Sequence, residues 1–161
     1  IAIRLRAGRL LFQTMEAAYA TGRTSSEKLW RMLKAIVTFG LTQSAYYEIL
    51  IGLPTPKYTD YIGTPQESLA KEELDSSLRS HQLATKLIEN FINEGCQIPG
   101  NPKNFVFVLW SQTHGLISLY NNGLMALADD TPEETVVEVT KLLYEILCQM
   151  LNIVPVSVDN E

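Results

Sequence analysis

The chain has 161 residues, 46% of them hydrophobic and 19% charged, with a net charge of −5. That length supports a core without metals or disulfides to staple it, and the composition excludes an intrinsically disordered chain. No apolar run reaches the roughly 18–20 residues that cross a bilayer, and Arg4, Arg6 and Arg9 interrupt the opening residues where a secretory signal would be continuous. One cytoplasmic domain with no membrane partner is expected.

Charge is unevenly spread. Residues 1–34 carry seven basic groups against two acidic ones, so the remainder is ten charges negative. Phosphate contacts need clustered Lys and Arg, which leaves only the N-terminal end suited to facing DNA. Cys96 and Cys148 stand in unrelated contexts, with neither a CxxC pair nor a His at ligand spacing. Both read as free thiols, and no metal or other cofactor is expected.

The punctuation predicts six helices. The first spans 2–20. The second, 26–44, follows the capping box Thr24-Ser25-Ser26-Glu27 and places Leu29, Trp30, Leu33, Ile36, Val37 and Gly40 at three- and four-residue steps. A third covers 46–51. Residues 52–65 hold three prolines and two glycines and form the one long connection, whose Tyr58 and Tyr61 predict that it packs on the domain. The fourth helix, 66–94, opens at Thr64-Pro65-Gln66-Glu67; its apolar positions alternate with a charged face, on which His81 reads as a surface residue. The fifth, 103–122, follows Asn101-Pro102, and the sixth, 132–152, follows Thr131-Pro132-Glu133-Glu134. Gly22, Gly52, Gly95 and Gly123 stand where a left-handed residue would end a helix. No segment alternates like a strand, so the fold class is all-α.

The last two helices differ from the others. Phe105-Val106-Phe107-Val108-Leu109-Trp110 is apolar on all sides, and 132–152 spreads its apolar residues over more than one face. A soluble helix of that kind is buried all round. Two such helices at the end of a chain predict an isologous homodimer with a four-helix interface, formed by Leu116, Leu119, Val139, Leu143, Ile146, Leu147 and Met150.

Catalysis needs a nucleophile, a base and an orienting acid within reach of one another. Only two histidines exist, and GxSxG, HExxH, phosphate-loop and EF-hand patterns are missing. An enzyme is not expected. The residues best suited to line a pocket have apolar bodies and polar tips: Phe39, Tyr46, Tyr47, Tyr61, Phe91, Trp110 and His114. The same residues would serve equally as plain core. His114 shares a helix face with Trp110, beside a Gly115 that would permit close helix approach. It reads either as a ligand or interface contact or as a core histidine bonded to a carbonyl. The scarcity of basic groups favours a small apolar or aromatic effector, although Lys34 and His81 could pair with one carboxylate.

The segment from Leu109 through Trp110, His114 and Gly115 to Leu119 resembles the Trp-x-x-x-His-Gly signature of one group of C-terminal domains in the TetR family. The stretch from Glu27-Lys28-Leu29 through Phe39-Gly40 to Tyr46-Tyr47-Glu48-Ile49-Leu50 is similar to the same group's helix pair. Together they cover residues 24–152. The resemblance implies a homodimeric repressor or activator, with an N-terminal helix-turn-helix followed by a ligand-binding and dimerisation domain. On this reading residues 1–22 are the connecting helix from a DNA-binding domain missing from the sequence, with Arg4, Arg6 and Arg9 at the end nearest DNA. Residues 23–154 are the regulatory domain, 155–161 a disordered tail, and operator DNA is bound only through the missing unit. Two other readings stay open: a helical dimerisation or protein-interaction module without a small-molecule ligand, and a stand-alone helical binding protein beginning at Ile1.

Overall fold

The computed structural model describes residues 1–157. Helix α1 (Ala2–Thr21) leads into α2 (Ser25–Thr42), and a short α3 (Ser44–Tyr47) continues into a wide turn at Glu48–Gly52. A single 3₁₀ turn (Tyr58–Tyr61) punctuates the long connection before α4 (Glu67–Asn93). Then come α5 (Pro102–Asn121), a one-turn α6 (Met125–Ala128) and α7 (Pro132–Leu151). No strand occurs among the described residues, so the all-α bundle is as expected. The turns at Tyr58–Tyr61 and Met125–Ala128 are additions, too short to impose a hydrophobic period on the sequence.

The helix caps form with a shift. Thr24 Oγ1 accepts the amide of Glu27 at 3.1 Å, whereas the Glu27 carboxylate reaches past the cap to the amide of Arg23 at 2.8 Å. That bond, joined by the Arg23 side chain, holds the Glu27 carboxyl below the usual carboxylate range. Asn101 caps α5 as expected, accepting the amide of Asn104 at 2.9 Å. The expected boxes at Thr64 and Thr131 do not form. Glu67 instead accepts the amide of Gly63 at 2.7 Å, and the side chain of Thr131 makes no cap bond to α7. Gly95 and Gly123 end their helices with φ of 95° and 71°, but Gly22 leaves α1 in an extended conformation. Its smallness matters for another reason: a Cβ there would sit 2.6 Å from Lys28 Cγ.

Helix α2 is the centre of the bundle, packing on α1, α4, α5 and α7. Its Leu29, Trp30, Met32 and Leu33 meet Leu87, Ile88 and Phe91 of α4, Phe105 and Val106 of α5, and Tyr144, Leu147 and Leu151 of α7. Each such side chain contributes about 1.5–3 kcal/mol when taken from water. At its start, Ser26 Oγ lies 2.6 Å from Tyr144 Oη, and the Tyr144 ring tilts against Trp30 at 5.4 Å. Near its end, Gly40 lets α5 approach so closely that a Cβ would lie 2.6 Å from Ile117 Cδ1. Asn121 Nδ2 ties that crossing by donating to the Gly40 carbonyl at 2.9 Å.

Helix α1 lies against α2 and α4. Arg4 is 8% exposed and donates to Glu73 at 2.5 and 2.7 Å and to the Pro56 carbonyl at 3.1 Å. The hydrogen bonds it donates to Glu73 raise the guanidinium's pKa further, so the group is permanently charged. Arg9 pairs with Glu72, and the Arg6 guanidinium lies 6.0 Å from the Tyr46 ring centroid. Of the three arginines expected to face DNA, Arg4 is too enclosed to meet a phosphate, while Arg6 and Arg9 remain exposed. Sequence hid this because Glu72 and Glu73 lie some 60 to 70 residues away.

Beyond α7, Val156 packs on the core and its amide donates to Tyr144 Oη at 3.0 Å. The tail expected from residue 155 therefore does not begin there; residues 158–161 lie outside the described ones.

The outer faces of α5 and α7 are not buried within the chain. Phe107, Val108 and Leu119 on α5 and Leu142, Ile146 and Met150 on α7 are all exposed. Leu116 and Leu147, which the interface reading included, face inward and are core residues. Val139 and Leu143 are half-buried between the two situations.

Candidate functional site

Between α1, α2, α4, α5 and α7 lies a partly open cavity of about 170 Å³, lined also by Tyr47 of α3 and by the wide turn after it. Its walls follow from helical spacing. Gly8, Leu11 and Met15 share one face of α1, Leu29, Met32, Leu33 and Ile36 one face of α2, and Val106, Leu109, Trp110 and Thr113 one face of α5. Helix α4 contributes Ser77, Ser80, His81, Ala84, Leu87 and Ile88, again at three- and four-residue steps, and α7 adds Leu143 and Leu147. The wide turn supplies Leu50 and Ile51, since its i to i+5 bond from Leu53 N to Glu48 O rotates them relative to a continuing α-helix.

Two of the seven expected pocket residues line this cavity, Tyr47 and Trp110. Phe91 is 1% exposed and belongs to the main core. Phe39 is 5% exposed, packed with Ile117, and touches a different, shallow groove. Tyr46 lies under Arg6, and Tyr61 lies in the 3₁₀ turn of the long connection. His114 stands one layer behind the cavity: its Nδ1 is 3.2 Å from Tyr47 Oη, and the two rings stack at 5.8 Å. The partner is a phenol rather than the carbonyl considered from sequence. Burial pushes the Tyr47 hydroxyl's pKa up, so it remains a neutral hydrogen-bonding group.

The Trp-x-x-x-His-Gly segment therefore has three separate tasks. Trp110 lines the cavity, His114 holds the cavity-lining Tyr47, and Gly115 faces outward, where a Cβ would meet nothing within 4 Å. The close approach expected at Gly115 does not occur within the chain; it occurs at Gly40.

The residue that the sequence placed on the surface and the structure places at the cavity is His81. Its ring lines the cavity 4.9 Å from that of Phe107, and its Nε2 is buried without a hydrogen-bond partner. The signal was its phase, since His81 is three residues before Ala84 and seven before Ile88, both cavity-lining. Its polar neighbours Arg79, Ser80 and Gln82 obscured that phase. Lys34, its suggested partner for a carboxylate, lies at the shallow groove with Phe39 and not at this cavity. Among the described residues, no Asp, Glu, Lys or Arg lines the cavity. No group of potential metal ligands occurs among the described residues.

Residues 29–143 match the family described as Tetracyclin repressor-like, C-terminal domain. The chain belongs to that family. The family is one of transcription regulators, whose C-terminal domains bind ligands and dimerise rather than catalyse. None of the curated proteins matches the chain. A solved structure from Rhodococcus sp. RHA1, described as a protein with unknown function, is similar with a TM-score of 0.69 at 17% identity. The match covers 89% of this chain and 69% of that one, and at such identity it speaks for the fold alone. The tetracyclin repressor-like domain has no helix, among the described residues, long and apolar enough to cross a membrane.

Proposed function

We propose that this domain senses a small, largely apolar effector in the cavity between its helices and dimerises through the outer faces of α5 and α7. The observation that carries the reading is the cavity itself, walled almost wholly by apolar side chains and bordered by α1 through Gly8, Leu11 and Met15. In a cytoplasmic regulator of this kind, operator DNA is contacted by a helix-turn-helix unit preceding α1. An effector that fits one placement of α1 better than another changes the spacing of two such units, by no more than its differential affinity.

Dimerisation is supported by the exposed apolar residues Val108 and Leu119 on α5 and Leu142, Ile146 and Met150 on α7. Monomeric proteins rarely leave contiguous apolar patches of that kind in water. Thermal denaturation against a panel of small aromatic and aliphatic compounds tests the sensing role. A ligand at 100 times its Kd stabilises the folded state by about 2.7 kcal/mol, a readily visible rise in Tm. No rise with any compound would reject effector sensing in favour of an interaction module. Sedimentation at micromolar concentration tests the dimer, and a monomer there would reject it.

A further inference from the structure

We propose that a second copy of the chain closes the cavity: two α5 helices cross antiparallel at Ser111 and Gly115, and Leu119 of each covers Phe107 of the other, above the opening beside Trp110. This rests on the dimerisation reading and specifies its register and what it does to the cavity.

Exposure locates the opening. Of the residues that line the cavity, only Ser77 on α4 and Trp110 on α5 are exposed, so it opens along the edge between those two helices. Phe107 spans that edge. Its ring stacks on that of Trp110 at 6.2 Å and tilts against that of His81 on α4 at 4.9 Å. Even so, Phe107 is 52% and Trp110 40% exposed. Two adjoining aromatic side chains in water, at the rim of an apolar cavity, mark a surface that a partner covers.

Charge selects the occupant. From Asn104 to Asn121, α5 carries no Asp, Glu, Lys or Arg, whereas each of the other long helices carries four or more. A two-fold axis sets a helix against its own image, where charges near the axis meet their like. With a net charge of −5 on each copy, α5 is the helix on which two copies approach without that repulsion. The same lack of cations disfavours a nucleic acid or an anionic lipid surface on this face.

Side-chain size sets the register. Phe107, Ser111, Gly115 and Leu119 stand four residues apart and form one ridge, large at both ends and small in the middle. All but Gly115 are exposed, and a Cβ on Gly115 would meet nothing within 4 Å. Helices that cross at an angle are nearest at the crossing and diverge from it, so small side chains fit the centre and large ones fill the widening gap. A two-fold axis through the middle of this ridge opposes Ser111 to Gly115 and Phe107 to Leu119. An occupant of the cavity is then enclosed by both copies, so effector binding and self-association strengthen each other.

The test is sedimentation combined with iodide quenching of tryptophan fluorescence. Trp30 is 6% exposed, so quenching reports on Trp110. In the dimer Trp110 should be shielded, and dilution of the unaltered chain through its dissociation constant should open it to iodide. Phe107→Glu and Leu119→Lys, with folding confirmed by their melting curves, should each weaken the dimer at least about tenfold and open Trp110 likewise. The two positions lie about 18 Å apart along α5, too far to pair within one chain. In Phe107→Glu/Leu119→Lys the new charges therefore meet only between copies, and the double variant should regain part of both the dimer and the shielding. A dimer whose Trp110 is as open to iodide as the monomer's, a dimer indifferent to Phe107→Glu, or a double variant no tighter than its weaker single would overturn the inference and leave dimerisation standing. An unaltered chain that stays monomeric at micromolar concentration would reject both.

Discussion

The hydroxyl of Tyr47 and Nδ1 of His114 lie 3.2 Å apart, joining α3 to α5 behind the wall of the cavity. Tyr47 is 2% exposed, so each partner depends on the other for its hydrogen bond. His114→Leu leaves a buried hydroxyl unsatisfied and should cost about 1–3 kcal/mol. Tyr47→Phe should cost a similar amount, and the double variant less than the sum. Urea denaturation of the four proteins measures this, and strict additivity would show that the two groups are energetically independent.

Gly40 lets α2 and α5 cross at close range. A methyl group there would lie 2.6–2.9 Å from three carbons of Ile117. Although alanine is the better helix former, Gly40→Ala should destabilise the fold by about 1–3 kcal/mol through overpacking. Shortening the neighbour with Ile117→Val should return part of that loss. A neutral or stabilising Gly40→Ala would mean that α5 shifts away freely.

Gly115 offers the opposite case. Because a Cβ there meets nothing within 4 Å in the chain, Gly115→Leu should leave folding intact and even gain up to about 1 kcal/mol of helix propensity. If α5 packs on a second copy, the added side chain sits in the interface and weakens self-association. Sedimentation velocity across a hundredfold concentration range separates the outcomes. An unchanged dimer would place the interface elsewhere than the Gly115 face.

Asp129 braces the start of α7 through Thr131 and Thr135. Its carboxylate accepts the hydroxyl of Thr135 and, at 2.8 Å, the amide of Thr131, and these bonds hold its pKa below the usual carboxylate value. A lowered folded-state pKa contributes stability above the unfolded value of about 3.9 and loses it as pH falls through the folded one. Asp129→Asn should therefore flatten the acid limb of the stability profile below about pH 4 and leave its slope near neutrality unchanged. Thermal melts from pH 2 to 7 would show it; an identical acid limb would assign the loss to other carboxylates.

Much of the fold is set by local chemistry. Pro102 and Pro132 at first-turn positions, the Thr24 and Asn101 caps, and the left-handed Gly95 and Gly123 each act within four residues of themselves. Helical period likewise decides which residues of α2 point inward, because it repeats along the chain. These signals determine the class and order of the helices, and the Trp110–His114–Gly115 segment pointed to the family.

Which surface each inward residue meets was decided only by the packing of helices. Phe91 is core and Trp110 lines the cavity, though both are aromatic residues on amphipathic helices. His81 was hidden by polar neighbours, and Arg4 appeared free for DNA until Glu73 was brought beside it. A cavity is space left between five helices from distant parts of the chain. Periodicity places a side chain on a face, while the angle and distance at which faces meet determine whether it fills a core, bounds a void or waits for a partner.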